Sequence, residues 1–164
     1  MGRTATLLHA ARRLGLILAV GLGVALGLGT TATGQTGTPA NNVAVIVHAE
    51  VPAVTLRRAD LLDLYLGDVR FWRDGTEIVL FDQQPSSDVK SSFYDYLGRS
   101  ITRMKSLWLR RRLAGEGDPP EALASDAEVL ARVAETPGAI GFVRADRARD
   151  YPGVRVVRVV PLED

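Results

Sequence analysis

The sequence has no cysteine and only two histidines, and these absences remove several classes of functional site. Without cysteine there is no disulfide framework, thiol nucleophile or cysteine metal site. His48 is the only histidine after residue 34, which excludes a multi-histidine metal site. The sequence also lacks the HExxH, GxSxG and phosphate-loop lysine motifs. We therefore expect no catalytic residue, no bound metal and no cofactor.

The first 34 residues lack acidic side chains altogether, and three arginines give them positive charge. Residues 14–29 contain no charged or strongly polar group, and small residues follow them. A basic start, an apolar stretch and a small-residue exit are the three parts of a secretory signal peptide. We predict that residues 1–34 are such a signal, and that the remaining chain is periplasmic or secreted.

The sequence leaves three outcomes open for residues 1–34 after export. Cleavage after Gly34 is the first expectation, with cleavage after Ala32 or retention as a membrane anchor as the others. The 16 apolar residues of the leader are fewer than the roughly 20 that span a bilayer core, which favours cleavage. A lipoprotein is excluded, because lipid attachment requires a cysteine at the cleavage site. Contact with the membrane is expected only through a retained signal.

The chain after the leader is predicted to form one domain. Residues 35–164 are enough for one compact domain and too few for two. The leader holds three of the 20 basic residues and none of the 19 acidic ones, so the remainder has a net charge of −2. We expect no nucleic-acid partner, since there is no basic excess. Residues 35–42 are polar with Gly and Pro and are predicted to be a disordered lead-in to a domain of residues 43–164.

Apolar runs that alternate with helix signals predict an α/β fold. The predicted strands comprise residues 43–48, 77–82, 139–143 and 154–160. The predicted helices comprise residues 56–66, capped by Thr55, and three more that begin near Ser86, Ser100 and Ser125. Continuous apolar strands joined through helices predict a largely parallel or mixed sheet covered by helices. Arginines interrupt the last strand, which favours a position near the sheet edge.

Two charged groups are expected to be ordinary solvated surface. Asp60 and Asp63 lie one turn apart on the outer face of their helix, and a paired-carboxylate site is the less favoured alternative. Residues 110–112 are three arginines at a helix C-terminus, where cations complement the helix dipole. Contact with an acidic partner or with anionic headgroups is the alternative for these arginines.

The start of the helix after Pro85 is the strongest candidate for a ligand-binding site. A helix N-terminus offers unpaired N–H groups and partial positive charge, which favour anions. Ser86 and Ser87 add hydroxyl donors there, and Lys90 adds a full charge in the first turn. The alternative is that the serines only cap the helix and that Lys90 is solvated. Asp88 supports this alternative, because its carboxylate competes with an anion for the same donors.

Four motifs resemble those of the substrate-binding proteins of phosphate ABC transporters. They are DLYLGDVRFWRDG at residues 63–75, Phe93 and Trp108 in successive helices, GEGDPP at 115–120, and TPGAIGFV at 136–143. Together they cover roughly residues 43–145. The resemblance implies a periplasmic-binding-protein-like fold of type II, present here as a single lobe with a mixed sheet covered by helices.

The resemblance also implies a function. It implies an extracytoplasmic solute-binding-protein-like domain that captures phosphate or a similar oxyanion for an ABC transport system. An envelope permease or sensor protein is then the expected partner. The Ser-Gly-Thr of the family corresponds to residues 87–89, which keep only the serine. The alternative is a non-catalytic envelope interaction module that keeps the fold without binding a ligand, and a carboxylate-based hydrolase ranks last.

Overall fold

Residues 42–52 and 54–160 are described by a computed structural model of the chain. The predicted signal peptide lies outside the described residues, as do residues 35–41 of the predicted lead-in, so these assignments stay predictions. Within the described ranges, no helix has the length and apolarity needed to cross a bilayer.

The described chain alternates strands with helices, as the sequence predicts. The strands are β1 (Val43–His48), β2 (Val79–Gln83), β3 (Glu121–Leu123), β4 (Ala139–Arg144) and β5 (Val154–Val160). The helices are α1 (Arg58–Leu66), α2 (Asp88–Leu97), α3 (Ile101–Leu113) and α4 (Asp126–Glu135).

These strands form one mixed sheet in the order β3-β2-β4-β1-β5. Strand β2 pairs in parallel with β3 and β4, whereas β1 runs antiparallel to both of its neighbours, β4 and β5. The predicted α/β class and mixed sheet are therefore confirmed, as is the edge position of β5.

Strand β1 is buried on both faces of the sheet, which explains its continuous apolar sequence. Alternate side chains of a strand point to opposite faces. Val43, Val45 and Val47 accordingly pack into the core beneath α1, α2 and α3, while Ala44 and Ile46 pack into the core beneath α4. The sheet is therefore the middle of three layers.

The first of these cores is centred on packed aromatic rings. Phe93 of α2 stacks on Phe142 of β4 with ring centroids 4.1 Å apart. Tyr65 of α1 meets Phe93 edge to face at 4.9 Å. These contacts join two helices to the central strand of the sheet.

The start of the first helix differs from the predicted one. Helix α1 begins at Arg58 with Arg57 as its N-cap, so the prediction of Thr55 as the cap is wrong. The Asp60 carboxylate accepts a 2.7 Å hydrogen bond from the Arg57 backbone N–H and also pairs with the Arg57 guanidinium. These bonds lower the pKa of Asp60 and satisfy the helix start in place of a threonine hydroxyl.

Residues from three of the four motifs identified in the sequence contact one another in the fold. The Trp72 indole N–H donates to the Gly138 carbonyl at 2.8 Å. Gly67 ends α1 in the left-handed conformation, and a Cβ there would lie 2.7 Å from the Trp108 ring. The Trp108 indole N–H in turn donates to the Tyr65 carbonyl at 3.1 Å. These contacts therefore link parts of the chain that are distant in sequence.

Replacement of Gly138 by alanine is expected to destabilise the domain strongly. Gly138 has φ +78°, and an added Cβ would lie 2.2 Å from the Glu77 carbonyl oxygen. Gly75 has a similar φ of +86° but nothing within 4 Å of an added Cβ. We expect Gly75→Ala to lower the free energy of unfolding by about 1 kcal/mol and Gly138→Ala by ~3 kcal/mol or more, measured by urea denaturation. Equal losses in the two variants would contradict the close approach.

Candidate functional site

The turn between β2 and α2 carries the polar groups that the sequence singles out. Ser87 is the N-cap of α2, and its hydroxyl oxygen accepts a 3.3 Å hydrogen bond from the Lys90 backbone N–H. The same hydroxyl donates to the side-chain carbonyl of Gln83. The capping role expected of Ser87 is thus confirmed. Ser86 is exposed beside it.

Two backbone donors in the first turn of α2 are already satisfied by the chain. The Val89 N–H donates to the Asp88 carboxylate at 3.0 Å, and the Lys90 N–H donates to Ser87. Arg144, at the end of β4, pairs with the other oxygen of the Asp88 carboxylate. An anion that binds at this helix start therefore has to displace the Asp88 carboxylate.

Lys90 is buried, in contrast to the alternative of a solvated side chain. Its ammonium donates to the Asp82 carboxylate at 2.7 Å and to the Gln83 carbonyl at 2.8 Å, both in the strand that precedes α2. Only 7% of Lys90 and 6% of Asp82 is exposed, so the ion pair is shielded from water. The alternative of a solvated Lys90 is wrong, and a ligand-binding role for Lys90 stays a prediction.

Tyr94 completes the set of partners around Asp82. Its hydroxyl lies one helical turn beyond Lys90 and donates to the same carboxylate oxygen at 2.9 Å. The other carboxylate oxygen accepts from the Gln83 backbone N–H at 2.7 Å. Burial raises the pKa of Tyr94, and the nearby negative charge of Asp82 raises it further. The tyrosine therefore stays protonated and keeps its hydrogen available for Asp82.

Gln83 extends the network to the other side of the sheet. Its side-chain amide donates to the Asp126 carboxylate at 2.7 Å and to the Phe142 carbonyl at 3.0 Å. Asp126 is the first residue of α4, and Phe142 lies in β4. The end of β2 thus connects α2, α4 and the centre of the sheet through two adjacent side chains.

A cavity of about 300 Å³ lies against this network, between α2, α3 and the segment that leads into β3. The three buried polar groups of Asp82, Lys90 and Tyr94 form one part of its lining. Most of the remaining lining is apolar and comes from Pro85, Ile101, Met104, Trp108, Leu109, Pro119, Pro120 and Ala122. Lys105 and Arg112 add two further cations. Ser86 and Ser87 do not line this cavity, so the structure separates them from the Lys90 ammonium.

Sequence reasoning missed Asp82 and Tyr94 as partners of Lys90. The sequence shows only that Lys90 and Tyr94 are four residues apart on one helix face, whereas the approach of Asp82 depends on how β2 and α2 pack together. Among the described residues, no group of three His, Cys, Asp or Glu side chains is placed to hold a metal ion.

Removal of one partner of the buried pair is expected to destabilise the domain. Asp82→Asn leaves the buried Lys90 ammonium without a counter-charge, which costs about 3–5 kcal/mol of unfolding free energy. The double variant Asp82→Asn, Lys90→Met removes both charges and is expected to recover much of that loss. Urea denaturation of the single and double variants measures both effects.

The exposed ion pair between Glu121 and Arg132 provides a matched control. Its side chains are 53% and 46% exposed, so we expect Glu121→Gln to change the unfolding free energy by less than about 1 kcal/mol. If Asp82→Asn also changed the unfolding free energy by less than about 1 kcal/mol, this would contradict a stabilising role of the buried pair.

Solved structures to which the chain is similar include a phosphate transport receptor and proteins described as putative or possible phosphate-binding proteins. The chain is similar to an ABC-type phosphate transport receptor from Vibrio cholerae, with 18% identity, a TM-score of 0.56, and coverage of 71% of this chain and 45% of the receptor. A putative phosphate ABC transporter substrate-binding protein from Clostridium perfringens, solved with bound phosphate, gives 18% identity, a TM-score of 0.56, and coverage of 71% and 44%. A possible phosphate-binding protein from Planctomyces limnophilus gives 15% identity, a TM-score of 0.53, and coverage of 73% and 42%.

Comparisons by sequence give a different result. No protein-family model matches the chain, and no curated protein matches it. The chain spans less than half the length of each of the three receptors. The resemblance seen in the motifs is confirmed by the structure neighbours, and the described residues have a periplasmic-binding-protein fold that corresponds to part of a single lobe.

Proposed function

We propose that the chain is an extracytoplasmic solute-binding-protein-like domain that binds phosphate or a similar oxyanion without catalysis, for an ABC transport system. The observation that supports this most is the fold shared with phosphate transport receptors, one of them solved with phosphate bound. The signal-peptide pattern of residues 1–34 supports a periplasmic or secreted location.

The proposed binding site is the start of α2, with Ser86, Ser87 and Lys90 as its residues. The helix N-terminus supplies partial positive charge, and the serine hydroxyls supply donors. Lys90 contributes little net charge while Asp82 holds its ammonium. Arg144 lies close enough to pair with Asp88 and adds a cation to the same turn. Because Asp88 occupies the Val89 N–H and the Arg144 guanidinium, we expect weak binding of phosphate in the natural chain.

Substitution of Asp88 tests this site. Asp88→Ser removes the competing carboxylate and frees both of its partners, so we expect phosphate to bind at least about tenfold tighter, a gain of ~1.4 kcal/mol. Isothermal titration calorimetry with phosphate and sulfate measures the affinity. Asp95→Ser is the matched control, since Asp95 is an exposed aspartate near the other end of α2 and its loss should leave the affinity unchanged. The absence of heat at millimolar phosphate in Asp88→Ser would overturn the proposal.

A second candidate function is the docking of an envelope permease or sensor protein. Leu109 and Leu113 lie one turn apart on α3 and are 58% and 79% exposed. Exposed apolar side chains grouped on one face favour a protein-binding surface. The arginines between these two leucines, residues 110–112, make the same region strongly basic.

A pull-down from envelope extract tests this docking surface. Leu113→Asp is expected to abolish capture of a partner, because it places a charge at the most exposed leucine. Thr102→Asp, at an exposed position in the first turn of α3, is the control and should capture as the natural chain does. Equal capture by the two variants would show that the leucine face is not the docking surface.

A further inference from the structure

The cavity beside the buried ion pair has features that an inorganic oxyanion does not use. Met104 and Trp108 of α3 line it together with Pro119 and Pro120, which precede β3. Its volume of about 300 Å³ is at the lower end of the range for small-molecule pockets. A strongly hydrated anion gains nothing from such walls, because its desolvation there is not compensated. The walls favour a ligand with an apolar body.

The charges that line the cavity favour an anionic group on that ligand. Asp82 and Lys90 neutralise each other at 2.7 Å. Lys105 also lines the cavity and has no ion pair within the described part of the chain. Arg112 pairs only with Asp118, at 3.4 Å and with both side chains mostly exposed, which is a weak interaction. Lys105 and Arg112 therefore give the cavity an excess of positive charge.

The Lys90 ammonium provides a further donor on the polar side of the cavity. An ammonium group has three N–H donors. Two of them bind the Asp82 carboxylate and the Gln83 carbonyl. The third has no hydrogen-bond acceptor among the described residues, and Lys90 lines the cavity.

We propose that this cavity binds a small organic carboxylate with a branched or aromatic body. The body packs against Met104, Trp108 and the two prolines, and the carboxylate is held by Lys105 and Arg112 with the free Lys90 donor as a further contact. The proposal rests on the cavity itself. It does not depend on phosphate binding at the start of α2, because Ser86 and Ser87 lie outside the cavity lining and Lys90 alone belongs to both proposed sites.

Matched pairs of probes test the two halves of the ligand separately. Phenylacetate and isovalerate carry the carboxylate, and phenylacetamide and isovaleramide are their uncharged counterparts. We expect saturable binding of at least one carboxylate at millimolar concentration or below, and at least about tenfold weaker binding of its amide, which corresponds to ~1.4 kcal/mol. Calorimetry gives the affinities, and a change in tryptophan emission reports occupancy beside Trp108.

Variants of α3 locate the site. Lys105→Gln with Arg112→Gln removes the two cations of the cavity and is expected to weaken carboxylate binding to the level of the amide. Arg103→Gln with Arg110→Gln removes the same charge from exposed positions of the same helix outside the cavity and should leave the affinity unchanged. Ala122→Phe fills the cavity and should abolish binding of every probe. Circular dichroism and urea denaturation confirm that each variant is folded.

Three results would overturn the inference. They are no saturable binding of either carboxylate, equal affinity for a carboxylate and its amide, and an equal loss in the two double variants. Phosphate is titrated in parallel against the same natural chain and against Asp88→Ser. Binding of phosphate without binding of either carboxylate would overturn this inference and leave the proposed oxyanion site standing. Binding of a carboxylate without binding of phosphate to either chain would support this inference and overturn the proposed oxyanion site.

Discussion

The buried ion pair between Lys90 and Asp82 is the interaction on which the arrangement of the site depends. A charge shielded from water is costly unless it is paired and hydrogen-bonded. Here the Tyr94 hydroxyl and the Gln83 backbone N–H also donate to the Asp82 carboxylate, and the Gln83 carbonyl is a second acceptor for the Lys90 ammonium. Since the partners come from both β2 and α2, the pair fixes the start of the helix relative to the end of the strand. The first turn of α2 and one side of the cavity are positioned together.

The same pair also determines where positive charge is available. The lysine that would strengthen a helix N-terminus for anions is neutralised by Asp82, and the helix start is left with Asp88 and Arg144, which neutralise each other. Lys105, and Arg112 with its weak, exposed pair to Asp118, lie instead on α3 beside apolar side chains. A fold shared with phosphate receptors therefore places two of its cations next to an apolar surface.

Features that depend on neighbouring residues could be predicted from the sequence, whereas features that depend on distant partners could not. Apolar runs revealed β1 and β4, and Ser87, Ser100 and Ser125 cap their helices as expected. Strand β3 has only three residues and exists because it pairs with β2, so its own sequence carries no strand signal. The burial of Lys90 depends on Asp82 eight residues earlier, and the cavity depends on the approach of residues 119–122 to α3. Neither relation is visible in local periodicity.

Strand β1 runs antiparallel to both of its neighbours, and this arrangement affects how the domain folds. Val43 pairs with Arg144 on one side and with Val160 on the other, so both neighbours of the first strand come from the last part of the chain. Contacts between residues so distant in sequence slow folding, because a long loop must close before they form. During synthesis β1 has neither of its sheet partners until β4 and β5 have been made. The five-stranded sheet therefore cannot be completed before residues 154–160 are available to pair with β1, so the two cores on its faces close late in folding.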